Sequence, residues 1–386
     1  MPTPTPNPLL LRFKEAQQTL YGDIDSIPDA HTWTPPGNSG GLGGRYLWTD
    51  AFGVLNFLTL HHEHTQHSSS PSTHYLTLST HLVDTIHTNL SRTQSGAPLA
   101  RSTPSSPLAG GLRISKSPPE TDGQYHHYLT LWMFALNRLS VATRDPHYNE
   151  QAVALAQAIH PRFFVDEGRR MVWKMDVDLE EVLVGGEGGL DPFAGWVVFG
   201  LLRKDASASA SAEEGGEGVL GKEIADYRRI IARKGGQGVS WDMLDLGMTM
   251  WWAHWVVGDG DGDGDGDGDG EVEELVDRCV ERVSALIEKK HYLTRDLATR
   301  LAFREFGTCL GLRCLATQPS QRHHAEQLNR YADAILDCWE PYMRSSFDGT
   351  PEDLRPITRV MYAAALIPGA FCRGYFGPES TLSFEL

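Results

Sequence analysis

The sequence predicts an all-α fold, an (α/α)6 toroid of six helical hairpins with minor β structure at the rim, and three observations lead there. Six times, a short polar or glycine-rich stretch runs straight into an apolar, aromatic-rich segment long enough for a buried helix. These segments recur about every 50 to 80 residues, the length of one helical hairpin with its connections. Strand signals are weak throughout; the best, RRMVWKMDVDL from Arg169 to Leu179, reads as one arm of a small hairpin.

In chain order, residues 1–8 form a proline-rich tail with too little apolar content to order itself, and Leu9 begins the first helix. The first buried helix follows in GGRYLWTDAFGVLNFL from Gly43, and an outer helix over Tyr75 to Asn89 covers it with Leu76, Leu78, Leu82, Val83, Ile86 and Leu90. Residues 91–121 are dense in Ser, Pro and Gly, which excludes regular structure, although GGLRISK from Gly110 to Lys116 looks ordered enough to face a site. DGQYHHYLTLWMFAL from Asp122 gives the second buried helix, with an outer stripe at Glu150 to Ile159. The other four buried helices follow Gly188, Ser240, Phe303 and Leu354, with outer partners at Glu271 to Lys289 and Arg322 to Met343. Flexible insertions are expected at 91–121, 204–219 and 257–270, the last containing an alternating Gly/Asp run, which leaves 9–386 as a single domain.

Composition narrows the function. The 386-residue chain carries a net charge of −16, and it stays acidic once the six aspartates between Asp259 and Asp269 are set aside. With no basic stripe and no Arg/aromatic interleaving, neither nucleic acid nor an anionic membrane is an expected partner. The five cysteines lack CxxC spacing and read as reduced, mostly buried thiols. The beginning of the chain has no basic region or apolar core of a secretory signal, and no stretch approaches the about 18 apolar residues of a membrane span, so the expected location is cytoplasmic. Phosphate-binding glycine motifs and a GxSxG elbow are absent, and no cofactor is expected. HHEHTQH, from His61 to His67, misses HExxH because Gln66 stands at the last position. The Gly/Asp run matches a calcium loop only because any alternating repeat does, and no metal is expected.

The count of six hairpins, together with aromatics paired with acids at the helix starts as in RYLWTDAFGV, DGQYHHYLTLW and REFG, gives the chain from Leu42 to Phe376 its family likeness. It resembles the six-hairpin, glycosidase-like (α/α)6-barrel superfamily, and matches no specific enzyme family within it. The resemblance implies alternating inner and outer helices and a catalytic funnel at the inner-helix starts.

Carboxylates cluster at those starts: Asp50, Asp122, Asp191, Asp242, Asp245 and Glu305. Glycoside hydrolysis needs two carboxyl groups flanking one bond, one protonated and one ionised. Aspartate at a helix start is also an ordinary cap or a charge favourable to the helix dipole. Asp122 is the preferred acid, because Gln124, Tyr125 and His126 beside it can bind hydroxyls and orient a proton donor. Asp191 in GGLDPF is its partner, where Gly188 and Gly189 permit close approach, and Glu305 is the alternate. Tyr46, Trp48, Tyr125, Trp173 and Trp241 offer flat faces for a sugar ring. Arg113, Lys174, Arg304 and Arg359, with Arg45, Lys116 and Arg355, are positioned to bind a ligand carboxylate or phosphate or to pair with the acids. Asp50 and Asp245 complete the substrate-binding set.

The leading expectation is an enzyme acting on a carbohydrate or sugar-like small molecule by general acid/base chemistry, with hydrolysis ahead of lyase or epimerase action. A terpene-type cyclase or isomerase, using Asp176 or Asp178 as the acid, is the second reading, and a non-catalytic binding protein on the same scaffold the third. The sequence leaves the oligomeric state open.

Overall fold

The computed structural model describes residues 7–41, 44–67, 72–116, 120–209, 218–234, 239–257, 269–344 and 354–382. The expected tail over 1–6 and the expected flexible stretches over 210–217 and 258–268 lie outside the described residues. Twelve helices run through the described chain: α1 Pro8–Tyr21, α2 Leu47–His67, α3 His74–Leu90, α4 His126–Thr143, α5 Pro146–Phe163, α6 Asp191–Ser209, α7 Gly221–Lys234, α8 Met243–Ala253, α9 Asp269–Ser284, α10 Ala302–Ala316, α11 Ala325–Arg344 and α12 Arg355–Leu366. Strands are few and short: β1 Gln124–Tyr125, β2 Phe164–Val165, β3 Arg170–Met171, β4 Lys174–Met175 and β5 Val182–Val184.

The two helix types differ in burial. The even-numbered helices are buried nearly all round; α12, for instance, has every residue from Pro356 to Leu366 buried, and α4 every residue from Leu129 to Ser140. The odd-numbered ones bury a single stripe, as α11 does with Leu328, Tyr331, Ala332, Ile335, Leu336, Trp339 and Met343 at helical spacing. Buried helices alternating with amphipathic ones give the all-α hairpin pattern that the sequence predicts.

Several boundaries move. Asn7 and Pro8, assigned to the tail, instead start α1: the Asn7 side chain accepts the Leu9 N–H at 3.0 Å, and proline suits the first helical position. Residues 204–209, read as the start of an insertion, continue α6. The expected strand over 169–179 divides between two small sheets, since β3 pairs with β2 while β4 sits between β1 and β5. Residues 91–116 carry turns and isolated bridges rather than regular elements, yet bury Leu99, Leu108, Leu112 and Ile114.

The chain contacts divide into two compact units. One comprises Met1–Ala30, Thr59–Ser72 and Gly238–Glu385; the other comprises His31–Leu58, Thr73–Gln237 and Leu386. In the first, α8 and α10 touch backbone to backbone. A methyl group at Gly247 would collide with the backbone of Gly307 and Thr308, so glycine is required there. All five cysteines are free, four of them buried. No described helix is long and apolar enough to cross a membrane.

Candidate functional site

Within the second unit, the starts of α2, α4 and α6 and the β1–β4 pair bring together Tyr46, Trp48, Tyr125, His127, Tyr128, Trp173 and Asp191. β1 lies antiparallel to β4 with Tyr125 opposite Lys174, and the His126 N–H donates to the Trp173 carbonyl at 2.9 Å. These bonds fix where α4 begins and therefore where its first two side chains point.

His126 and His127 take different jobs because adjacent residues on a helix lie about 100° apart. His126 is fully buried. Its Nε2 lies 2.7 Å from the Tyr227 hydroxyl and its Nδ1 3.4 Å from Asp191 Oδ1. Burial pushes its imidazole below the ordinary value more than Asp191 pulls it up. His127 has a side chain 31% exposed, and its Nδ1 lies 3.2 Å from the same Asp191 oxygen. Its Nε2 has no hydrogen-bond partner among the described residues. Four aromatic rings surround its imidazole: Tyr128 at 4.9 Å between centroids, Tyr125 at 5.8 Å, Trp173 at 5.9 Å and Trp48 at 6.1 Å.

Asp191 is the first residue of α6, where the helix dipole favours a negative charge. Burial pushes its carboxyl up, but the charge and hydrogen bond of His127, with His126 3.4 Å away, outweigh it and hold the carboxyl well below the usual range. An ionised Asp191 keeps the proton of His127 on Nδ1, leaving Nε2 as the basic nitrogen. Gly188, at φ 66°, brings its backbone against the Asp191 carboxylate, and a Cβ there would strike it. Lysines ring the cluster: Lys174 Nζ lies 5.0 Å and Lys116 Nζ 5.9 Å from the Tyr125 ring, and Lys234 Nζ donates to the Gly188 carbonyl at 2.6 Å.

The other expected site residues of this unit hold structure. Asp122 Oδ1 accepts the backbone N–H groups of Ser115, Lys116 and Gly123 at 2.9, 3.1 and 2.9 Å, and its Oδ2 pairs with Arg113 at 3.1 Å. Gln124 accepts from Leu112 N and donates to the carbonyls of Gly110 and Val177. Together Asp122, Arg113 and Gln124 tie the 91–116 segment to β1. Asp50 is completely buried, 3.3 Å from Arg45, and accepts the Tyr46 N–H at 3.1 Å; burial raises its carboxyl to about 6 against the opposing effect of Arg45. Tyr46 and Tyr128 share a hydroxyl-to-hydroxyl hydrogen bond. Asp176 accepts the N–H groups of Glu180 and Glu181 at 2.7 and 3.0 Å, holding a turn, and Asp178 accepts that of Ala100 at 3.2 Å, tying the 91–116 segment to that turn.

Glu305, Trp241, Asp245, Arg304 and Arg359 belong to the first unit and do not form one cluster there. Glu305 is fully buried, bound by both Arg300 nitrogens at 2.8 and 2.5 Å and by the Trp339 indole N–H at 2.8 Å. Its oxygens are committed to a structural ion pair. Arg304 pairs with Asp242, which caps α8 through the Leu244 N–H at 2.9 Å. Asp245 is exposed in the first turn of α8, and Trp241 is covered by Lys290 Nζ, 3.5 Å from its ring centroid. Arg359 donates to the Met343 carbonyl at 2.6 Å. In the histidine-rich end of α2, Glu63 accepts from the Tyr375 hydroxyl at 2.8 Å and His62 packs on its ring. No group of three or more potential metal ligands occurs among the described residues.

No family profile matches the chain, and no curated protein matches it. Solved structures do. A sugar epimerase from a ruminal bacterium superposes with a TM-score of 0.51 at 12% identity, covering 92% of this chain and 98% of its own. A GH76 α-mannanase from Bacteroides thetaiotaomicron superposes with a TM-score of 0.54 at 9% identity, covering 93% of this chain and 96% of its own. The fold is the six-hairpin (α/α)6 fold. At this identity the likeness concerns the fold alone.

His127 is the residue that sequence reasoning passed over. HHY at positions 126–128 offered two imidazoles, and the choice of His126 took the one that the helix turns inward. The available signal was the helix start itself: placing the first residue at His126 rotates His127 to another face.

Proposed function

We propose that this protein is an enzyme acting on a sugar or sugar-like small molecule by proton transfer, with His127 as the transferring group and Asp191 as its positioning partner. The observation that carries the reading is the half-exposed imidazole, bonded to a buried, ionised carboxylate and boxed by four aromatic rings. Those rings offer apolar faces on which a pyranose or an open-chain sugar packs. A neutral His127 Nε2 takes the proton from the carbon beside the substrate carbonyl and becomes an imidazolium, whose charge Asp191 stabilises across 3.2 Å. Return of the proton to the opposite face of that carbon, after the enediol turns over in front of His127, inverts it; return to the neighbouring carbon, with the hydroxyl proton passing between the two oxygens, moves the carbonyl. Isomerisation or epimerisation of a free sugar is thus the favoured reaction, in keeping with the named activity of one structure that shares the fold.

Hydrolysis, the reaction the sequence puts first, becomes the second reading, and one observation favours it besides the shared fold of the mannanase. Asp50, raised to about 6 by burial, has the protonation behaviour of a glycosidase acid. Against it, Asp122 and Glu305 spend their oxygens on donors of their own.

One assay separates the two. Reducing monosaccharides incubated in D2O are followed by proton NMR for loss of the signal next to the carbonyl, while aryl glycosides and mannan are followed for released reducing ends. Exchange that falls at least about 100-fold in His127→Gln supports proton transfer. Glycoside cleavage without exchange, undiminished in His127→Gln, sinks it.

A further inference from the structure

The first unit contains a cavity of 780 Å³ between one face of α1, the end of α11 and the first two turns of α12, lined among others by Arg12, Glu15, Arg344, Arg355, Arg359 and Tyr362. Four of those residues are arginines and one is a glutamate, in a chain whose net charge is −16. None of them belongs to the His127 cluster. We propose that this cavity binds a small molecule through an oxyanion, a phosphate or carboxylate group gripped by the arginines. The inference does not depend on the sugar reading and stands or falls separately from it.

The geometry supports a built site. Arg12 is held in place by the Tyr362 hydroxyl, which accepts from its Nε at 3.1 Å and its Nη2 at 2.6 Å, and by Glu340 at 3.4 Å from Nη1. Glu340 also meets Arg344 at 2.7 Å. Arg359 is buried at 6% exposure and is anchored by its bond to the Met343 carbonyl. A guanidinium presents a flat fork of donors that matches two oxygens of a carboxylate or phosphate, and guanidiniums already oriented lose little freedom on binding. Arg355 and Pro356 open α12, and no side chain caps that end, so its dipole adds positive potential to the same cavity. The volume falls in the range of sites for whole small molecules rather than bare ions, and Leu11, Ala16 and Met343 supply apolar walls for the uncharged part.

The test is calorimetric titration of the full chain with inorganic pyrophosphate and, separately, with citrate, at constant ionic strength. Saturable binding of either is expected. Arg344→Gln/Arg355→Gln is expected to weaken it at least tenfold, while Arg169→Gln, at a side chain 72% exposed elsewhere, leaves it unchanged. Because the double variant removes two lining residues, Arg344→Glu, a single reversal on a side chain 66% exposed, provides a second measure and is also expected to weaken binding. Preference for pyrophosphate over citrate assigns the phosphate chemistry, and the reverse the carboxylate. No saturation with either, or equal loss in Arg169→Gln, overturns the proposal.

Discussion

At the scale of single residues, the decisive contrast is between carboxylates that are spent and one that is not. Glu305 satisfies both oxygens on Arg300 and Trp339 with no exposure to solvent. Removing one charge of such a pair strands the other, so Glu305→Gln is expected to cost about 3 kcal/mol or more in urea unfolding. A loss below about 1 kcal/mol would mean the pair contributes little. Asp191 differs, because its charge serves a partly exposed imidazole. Asp191→Asn keeps the shape but supplies an amide where the Nδ1 proton needs an acceptor, and turnover is expected to drop by about 100-fold with secondary structure intact. Activity equal to wild type would detach Asp191 from the chemistry. Asp191, Trp48 and Tyr125 drew notice in the sequence because acids and aromatics stand out at helix starts. The committed state of Asp122 and Glu305 was not, since their donors come from Ser115 and Lys116 in an irregular loop and from Trp339, 34 positions away.

At the scale of elements, the buried helices announced themselves through unbroken apolar runs, and the outer ones α3, α9 and α11 through apolar residues at helical spacing. α7 escaped notice because half of GKEIADYRRIIARK is charged and only Ile224, Asp226, Tyr227 and Ile230 are buried. β3 and β4 fall inside the strand signal of 169–179, whereas β1, β2 and β5 escaped because two or three residues are too few to show alternation; β1 exists through its pairing with β4, which sequence does not display. The α8–α10 contact gives the sharpest test at this scale. Gly247→Ala places a methyl group against the α10 backbone, which has no side chain to swing aside. Overpacking of this kind costs about 1 to 3 kcal/mol, to be read as a lowered urea midpoint; an unchanged midpoint would show that the helices separate easily.

At the scale of the whole molecule, the buried titratable groups set how stability depends on pH. Burial lowers His87 to about 4, His160 to about 3, and His126 below its ordinary 6.5. The unfolded chain protonates these histidines near 6.5 while the folded one resists, so each makes stability fall as pH drops below 6.5. His87 adds a specific loss, since its Nε2 accepts the Trp132 indole N–H at 3.1 Å and cannot do so once protonated. Asp191, depressed, adds a loss confined to pH below its ordinary 3.8. Asp50 works in reverse: raised to about 6, it takes up a proton in the folded state between 6 and 3.8 that the unfolded state does not, so acidification there stabilises. With three histidines against one aspartate, the melting temperature is expected to fall by several degrees from about pH 7 to about pH 4.5, and to fall further in Asp50→Asn. A rise in the wild type would reverse the balance argued here. The start of α4 also bears on which changes of chain length the protein tolerates over evolution. A residue gained or lost in the exposed turns 94–98 or 103–107 shifts only a surface loop, whereas one gained between the Trp173-bonded N–H of His126 and the body of α4 turns the helix by about 100° relative to its first residues. Such an indel would exchange the inward and outward imidazoles or bury both, so homologues are expected to vary freely in loop length while keeping the spacing from residue 124 to residue 134 constant.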